Sequence, residues 1–68
     1  MVDTRRLKAR IEYEMTMRDL SAKEMAAMLG IGLSTWYWRM NHLGKVNLEE
    51  LHYVERALRT DLITDHLV

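Results

Sequence analysis

Chain-breaking residues are sparse in this sequence, and their positions constrain the fold more than any other feature. Proline is absent, and glycine occurs only at Gly30, Gly32 and Gly44. These glycines fall between stretches in which apolar residues recur at the spacing of three and four that is typical of helices. Because the chain has 68 residues, it can form one compact unit but not a two-domain enzyme. The pattern predicts a single all-α domain over residues 1–68, with short loops between its helices.

Capping signals predict where the helices begin. Ser21 and Glu24 form a capping box, in which each side chain accepts a hydrogen bond from the backbone amide of the other. Asn47 and Glu50 repeat this start signal before the last long apolar stretch. We therefore expect a compact four- to five-helix bundle. Its predicted helices lie at about 4–16, 21–29, 33–41 and 47–59, with a possible short helix or tail at 61–68.

Apolar spacing predicts which side of each helix faces the core. In the fourth helix the apolar side consists of Leu48, Leu51, Val54, Ala57 and Leu58. In the first helix, charged residues stand four positions apart, a spacing that gives small support on a water-facing side. We expect three such pairs to be exposed there: Lys8 with Glu12, Arg10 with Glu14, and Glu14 with Arg18.

Three consecutive aromatic residues, Trp36, Tyr37 and Trp38, lie in the predicted third helix. Since successive helical residues are about 100° apart, the three side chains cannot share one buried face. Trp36 suits the crossing of the second and third helices, which predicts that it is in the core. Tyr37 and Trp38 are then expected at an interface, with either DNA or protein.

The charges cancel in number but are segregated along the chain. Residues 1–10 carry four basic side chains against one acidic, and residues 33–46 carry two basic and none acidic. Residues 47–68 carry two basic against five acidic. A net charge of zero argues against a protein that coats nucleic acid through bulk charge. Solvated helix faces also give such segregation, so charge alone does not assign a function.

Catalytic and metal-binding functions receive little support. The chain has no cysteine, and His42, His52 and His66 stand ten and fourteen residues apart, which is not a metal-ligand spacing. Neither a nucleophile turn nor a glycine-rich phosphate loop is present. We expect no enzyme, no metal and no cofactor. The longest nearly apolar stretch, residues 25–33, is too short to span a membrane, so we expect a cytoplasmic protein.

Two short helices joined by a glycine turn and followed by a capped helix suggest a helix-turn-helix. Ala26 is small where a larger side chain would strike the next helix, and Gly30 allows a left-handed turn. The pattern LSAKEMAAMLGI at 20–31, followed by TWY at 35–37, resembles the lambda-repressor-like, Cro-type family of phage and bacterial regulators. The resemblance covers about residues 7–60, and the segment 35–51 is similar to a phage-borne branch of that family.

This resemblance implies that the third helix enters the major groove of DNA. The residues that fall at base-reading positions are Leu33, Ser34, Tyr37 and Trp38. Asn41 falls where an asparagine often holds a phosphate, and Lys23, Lys45, Arg5 and Arg6 are basic residues suited to phosphates at the same edge. Arg39 is expected either to reach DNA or to lie along the core edge. Ala22 departs from the family, in which glutamine is common at that position.

Two functional hypotheses follow from these observations. The first is a repressor-like, sequence-specific transcriptional regulator of phage or prophage origin that binds operator DNA in the bacterial host cytoplasm. Because one such helix reads only a few base pairs, we expect a homodimer. Its predicted interface consists of Leu62, Ile63, Leu67 and Val68 with part of the fourth helix, because few of these apolar residues can all be buried in so small a monomer. The alternative is a protein-interaction module on the same fold, an anti-repressor or an inhibitor of a host nucleic-acid enzyme, that uses Tyr37 and Trp38 as anchors.

Overall fold

The computed structural model describes residues 4–60 and Leu62. In this part of the chain four α-helices occur and no strand, which confirms the expected all-helical bundle. The helices are α1 (Thr4–Met17), α2 (Ala22–Leu29), α3 (Leu33–Asn41) and α4 (Leu48–Leu58), with a 3₁₀ turn at Leu43–Lys45. The Cα radius of gyration, 10.9 Å, is that of a compact chain of this length. Except for Leu62, the segment expected as a fifth helix or tail lies outside the described residues.

The predicted caps set the beginnings of α2 and α4. The Ser21 Oγ accepts from the Glu24 amide at 3.1 Å, and a Glu24 carboxylate oxygen accepts from the Ser21 amide at 3.0 Å. At α4 the Asn47 side chain accepts from the Glu50 amide at 2.8 Å. The Glu50 carboxylate lies 3.5 Å from the guanidinium of Arg39, so the second cap lacks the reciprocal bond of a capping box.

The core draws apolar side chains from every helix. Its buried members are Leu7, Ile11, Met15, Met25, Ala26, Trp36, Met40, Leu43, Leu51, Val54, Leu58 and Leu62. Trp36 is 3 % exposed, which agrees with its expected place in the core. Leu48 was expected on the apolar side of α4 but is 57 % exposed. It lies about 90° around the helix from the centre of the buried side, so its side chain does not reach the core.

Glu14 contradicts the expectation of a water-facing charge on α1. Its side chain is buried at 8 % exposure between two guanidinium groups, with Arg18 at 2.6 Å and Arg10 at 3.3 Å. The Arg18 hydrogen bond is the main reason that the pKa of Glu14 lies below its ordinary value of 4.5. Arg10 also donates to the Thr60 hydroxyl at 3.4 Å, which joins α1 to the residues after α4.

The packing of α2 against α3 is the most extensive helix contact in the described part of the chain. The turn between them begins at Gly30, which has φ 70° and ψ 29°, and includes Ile31, whose amide donates to the Ala26 carbonyl at 3.0 Å. Ala26 is 3 % exposed, so a small side chain lies where the two helices pack. None of the described helices has both the length and the apolar character needed to cross a membrane.

Candidate nucleic-acid interface

One side of α3 is exposed along the whole helix. Trp36 and Met40 are buried, whereas the neighbouring side of the helix carries the exposed residues Leu33, Ser34, Tyr37, Trp38 and Asn41. At about 100° per residue, these five side chains lie within an arc of about 140°. They are termed the α3 outer face. The structure thus brings the four residues expected to read bases and the asparagine expected to hold a phosphate onto one side of one helix.

The aromatic residues of the α3 outer face are about half exposed, at 53 % for Tyr37 and 50 % for Trp38. The Trp38 indole stacks on the His42 imidazole, with 4.3 Å between ring centroids and 15° between ring planes. His42 Nδ1 lies 2.7 Å from the Trp38 carbonyl oxygen, so this nitrogen carries the proton and donates. The stacked imidazole supports one face of the indole, and half of the Trp38 side chain remains exposed to a partner.

Two grooves lie between α1 and α3, with volumes of about 200 and 150 Å³. They share Lys8, Met40 and Asn41. The Lys8 ammonium donates to the Asn41 side-chain oxygen at 3.1 Å, which leaves the amide NH₂ of Asn41 for another acceptor. The larger groove also reaches Tyr37 and the smaller one Arg5, so the α1 cations lie beside the α3 outer face.

Sequence reasoning missed Lys8 as part of this site, because it paired Lys8 with Glu12 on the same helix. The contact with Asn41 crosses 33 positions, and no local spacing indicates it. Glu12 itself lines the larger groove, which places one carboxylate near the cations. The basic segment at the start of the chain pointed to this edge, but it did not single out Lys8.

The first turn of α2 borders the larger groove through Ala22. Within the capping box, the amides of Ser21 and Glu24 have side-chain acceptors. The amides of Ala22 and Lys23 precede the first intrahelical bond and have no acceptor in the part of the chain that the structure describes. With the exposed Lys23 side chain, they offer an anion two backbone donors and one ammonium group.

The other predicted cations differ in whether they lie near the α3 outer face. Arg39 lies on the far side of α3 from the α3 outer face and is partly buried near Glu50 on α4, which is the core-edge position of the two that were expected. Lys45 is exposed on the 3₁₀ turn that packs against α1. Arg5 lines the smaller groove, whereas Arg6 is exposed on α1 and lines neither groove.

The expected dimer residue Leu62 is not on the surface. Its side chain is fully buried in the core, and its amide donates to the Glu55 carboxylate at 2.7 Å. The prediction that Leu62 lies in a dimer interface was therefore wrong, because its side chain packs inside the monomer. Ile63, Leu67 and Val68 lie outside the described residues.

No cluster of three His, Asp or Glu side chains able to hold a metal ion occurs among residues 4–60 and 62. The imidazole of His52 is 2.8 Å from the Glu55 carboxylate, and that of His42 stacks on Trp38. The chain matches no protein-family model, and neither the curated proteins nor the solved structures contain a match to it.

Proposed function

We propose that this protein is a sequence-specific regulator that binds double-stranded DNA, with α2 and α3 as its helix-turn-helix, of the phage-borne, repressor-like kind that the sequence resembles. The observation that carries the proposal is the α3 outer face. This face is exposed over the whole helix. It is flanked by the cations of α1 and by the backbone amides of Ala22 and Lys23 at the start of α2. An α-helix about 10–12 Å across fits the major groove, which is about 12 Å wide.

The chemistry of the α3 outer face suits a mixed readout of bases. Ser34 and Tyr37 each present a hydroxyl that can donate to or accept from a base edge or a phosphate. Leu33 and Trp38 offer apolar surface, which complements thymine methyl groups and sugars. Sequence preference is therefore expected to come from methyl contacts and a few hydrogen bonds, without an arginine that reads guanine.

Phosphate contacts are assigned to the groups on both sides of this helix. At the start of α2, the Lys23 ammonium and the backbone amides of Ala22 and Lys23 together form one phosphate contact. The Lys8–Asn41 pair and Arg5 extend along the α1 side, and Lys45 lies on the turn that packs there. Local positive charge then supplies the electrostatic attraction that the neutral chain as a whole does not.

The test is fluorescence anisotropy of labelled duplex DNA, both a randomised pool and the DNA flanking the gene, at several salt concentrations. We expect salt-dependent binding that is tighter on the flanking DNA. Lys23→Ala and Lys45→Ala should weaken binding to every sequence and reduce the slope of log affinity against log salt by about 1 each.

Arg59→Asn is the matched control for the loss of one positive charge. Arg59 is exposed at the end of α4, outside both grooves, and its left-handed backbone with φ 53° suits asparagine. This variant should bind as the wild type does. If the wild-type protein binds neither duplex at low salt, the proposal is contradicted.

A protein-interaction role is the second candidate, favoured by the zero net charge and by the half-exposed Tyr37 and Trp38. Aromatic side chains are common anchors of protein interfaces. In that case Tyr37→Ala and Trp38→Ala would abolish capture of the partner, whereas Lys23→Ala and Lys45→Ala would leave it unchanged.

A further inference from the structure

A second surface lies on α4, away from the residues that line the α1–α3 grooves. The exposed side of α4 carries Glu49, Tyr53 and Arg56, which are termed the α4 stripe. The Tyr53 hydroxyl donates to the Glu49 carboxylate at 2.8 Å, and the Arg56 guanidinium carbon is 5.9 Å from the centroid of the Tyr53 ring. The hydrogen bond to the Glu49 carboxylate raises the pKa of the Tyr53 hydroxyl above its ordinary value of 10.0.

The two charged side chains of the α4 stripe have no ionic partner among residues 4–60 and 62. In the described part of the chain, neither Glu49 nor Arg56 forms an ion pair. They are seven residues apart, which corresponds to about 10 Å along the helix axis. Each therefore interacts with Tyr53 between them and has capacity for an opposite charge from outside.

An apolar groove of about 360 Å³ runs beside the stripe, between α2 and α4. It is lined by Met28, Leu29, Tyr53, Arg56 and Ala57. Met28 is 53 % exposed and Tyr53 is 46 % exposed, whereas Leu29 and Ala57 are partly buried against the core. Covering this groove would remove apolar side chains from water.

We infer that a second copy of this chain docks on the α4 stripe, with the two α4 helices antiparallel about a two-fold axis near Tyr53. A two-fold interface has to be complementary to itself. Glu49 stands four residues before Tyr53 and Arg56 three residues after it, so antiparallel helices place Glu49 of each copy opposite Arg56 of the other. Parallel helices would instead oppose like charges.

The two kinds of contact contribute differently to this dimer. The ion pairs between Glu49 of one copy and Arg56 of the other mainly set the orientation and specificity of the dimer. The Tyr53 rings and the groove provide the buried apolar surface. A patch about one helix wide is smaller than the ~800 Å² per partner of a standard interface. Self-association is therefore expected at micromolar rather than nanomolar concentrations.

The inference supplies the dimer that the proposed function requires for two half-sites, and it rests on that function in no other respect. Its test contains no DNA, so its failure is distinguishable from failure of the DNA-binding proposal. Sedimentation equilibrium of the full chain from low to high micromolar concentration measures the dimer directly. The wild type should show a monomer–dimer equilibrium.

Charge reversal tests the arrangement. Glu49→Lys alone, or Arg56→Glu alone, opposes like charges at two places in the dimer and should weaken self-association by about tenfold or more. The double variant restores opposite charges with their positions exchanged and should associate within about threefold of the wild type. Glu12→Lys on α1 is the control for charge reversal elsewhere and should leave the equilibrium unchanged. Circular dichroism verifies that each variant is folded.

Three outcomes would overturn the inference. The first is a wild-type protein that stays monomeric at every concentration. The second is single variants that associate as well as the wild type. The third is a double variant as weak as the single variants, since this contradicts the antiparallel pairing.

Discussion

Glu14 is a buried carboxylate whose charge is compensated by the guanidinium groups of Arg10 and Arg18. A buried ionised group is costly unless it is paired and hydrogen-bonded, and here both carboxylate oxygens have a donor. The same carboxylate also accounts for the position of Arg10, which reaches Thr60 beyond α4. Glu14 thus helps to hold the first helix against the end of the fourth.

The pH dependence of stability should report this pairing. The pKa of Glu14 is lowered by folding, so its contribution to stability is present above the ordinary value of 4.5 and is lost as the pH falls through the folded value. Glu14→Gln should lower the melting temperature near neutral pH, and this difference from the wild type should shrink below pH 4.5. Thermal denaturation followed by circular dichroism at several pH values measures the effect.

Glu12→Gln is the matched control, because it removes one exposed carboxylate from the same helix. It should stay close to the wild type near neutral pH. If the melting temperatures of Glu14→Gln and the wild type differ by the same amount at every pH, the pairing of Glu14 with arginine does not stabilise the fold.

Some features at the residue scale have a weak signal or none in the sequence. Asp19 and Arg59 both adopt left-handed backbone, with φ 55° and 53°. Glycine and asparagine are the usual residues there, and aspartate is tolerated, so the residue type gives a weak signal at Asp19 and none at Arg59. The burial of Glu14 was also missed, since the spacing of four residues that pairs it with arginine is found on exposed helices as well.

At the scale of elements, the α2–α3 turn depends on two glycines with different conformations. Gly30 is left-handed with φ 70°, whereas Gly32 is extended with φ −75° and ψ 158°. A Cβ atom at either position would meet nothing within 4 Å. Backbone conformation, and not space, therefore decides what each position tolerates.

The same substitution at both glycines should have opposite effects. Gly30→Ser forces a side chain into left-handed backbone and should destabilise the protein by about 1–2 kcal/mol. Gly32→Ser supplies a hydroxyl cap that α3 lacks and should stabilise it by about 0.5 kcal/mol. Urea denaturation measures both. Equal effects of the two variants would contradict this account of the turn.

The elements were predictable because their ends are marked locally. The observed bounds of all four helices lie within one residue of the expected ones, since Ser21, Asn47 and the glycines act within a single turn. The 3₁₀ turn was expected only as a loop, and the contact between Lys8 and Asn41 could not be foreseen. Contacts between α1 and α3 depend on tertiary packing, which local spacing does not encode.

On the scale of the whole molecule, packing brings the two basic blocks of the sequence together. Arg5 and Lys8, from the first block, line the grooves beside Asn41 in the second. The 3₁₀ turn that carries Lys45 packs against α1 as well. The charge pattern predicted that the blocks exist, but only the fold makes them neighbours. The result is a local basic edge on a chain of zero net charge, with the α4 stripe formed by different residues.

The most direct test of the central claim is a titration of the isotope-labelled protein with duplex DNA, followed by two-dimensional NMR of the backbone amides. We predict that the largest shifts fall on Ala22, Lys23 and the α3 outer face. The amides of Glu49 and Tyr53 on the α4 stripe should shift little. Salt-dependent shifts confined to the α3 outer face and the start of α2 would support α3 as the DNA-reading helix. Shifts centred on α4, or no shifts at low salt, would contradict it.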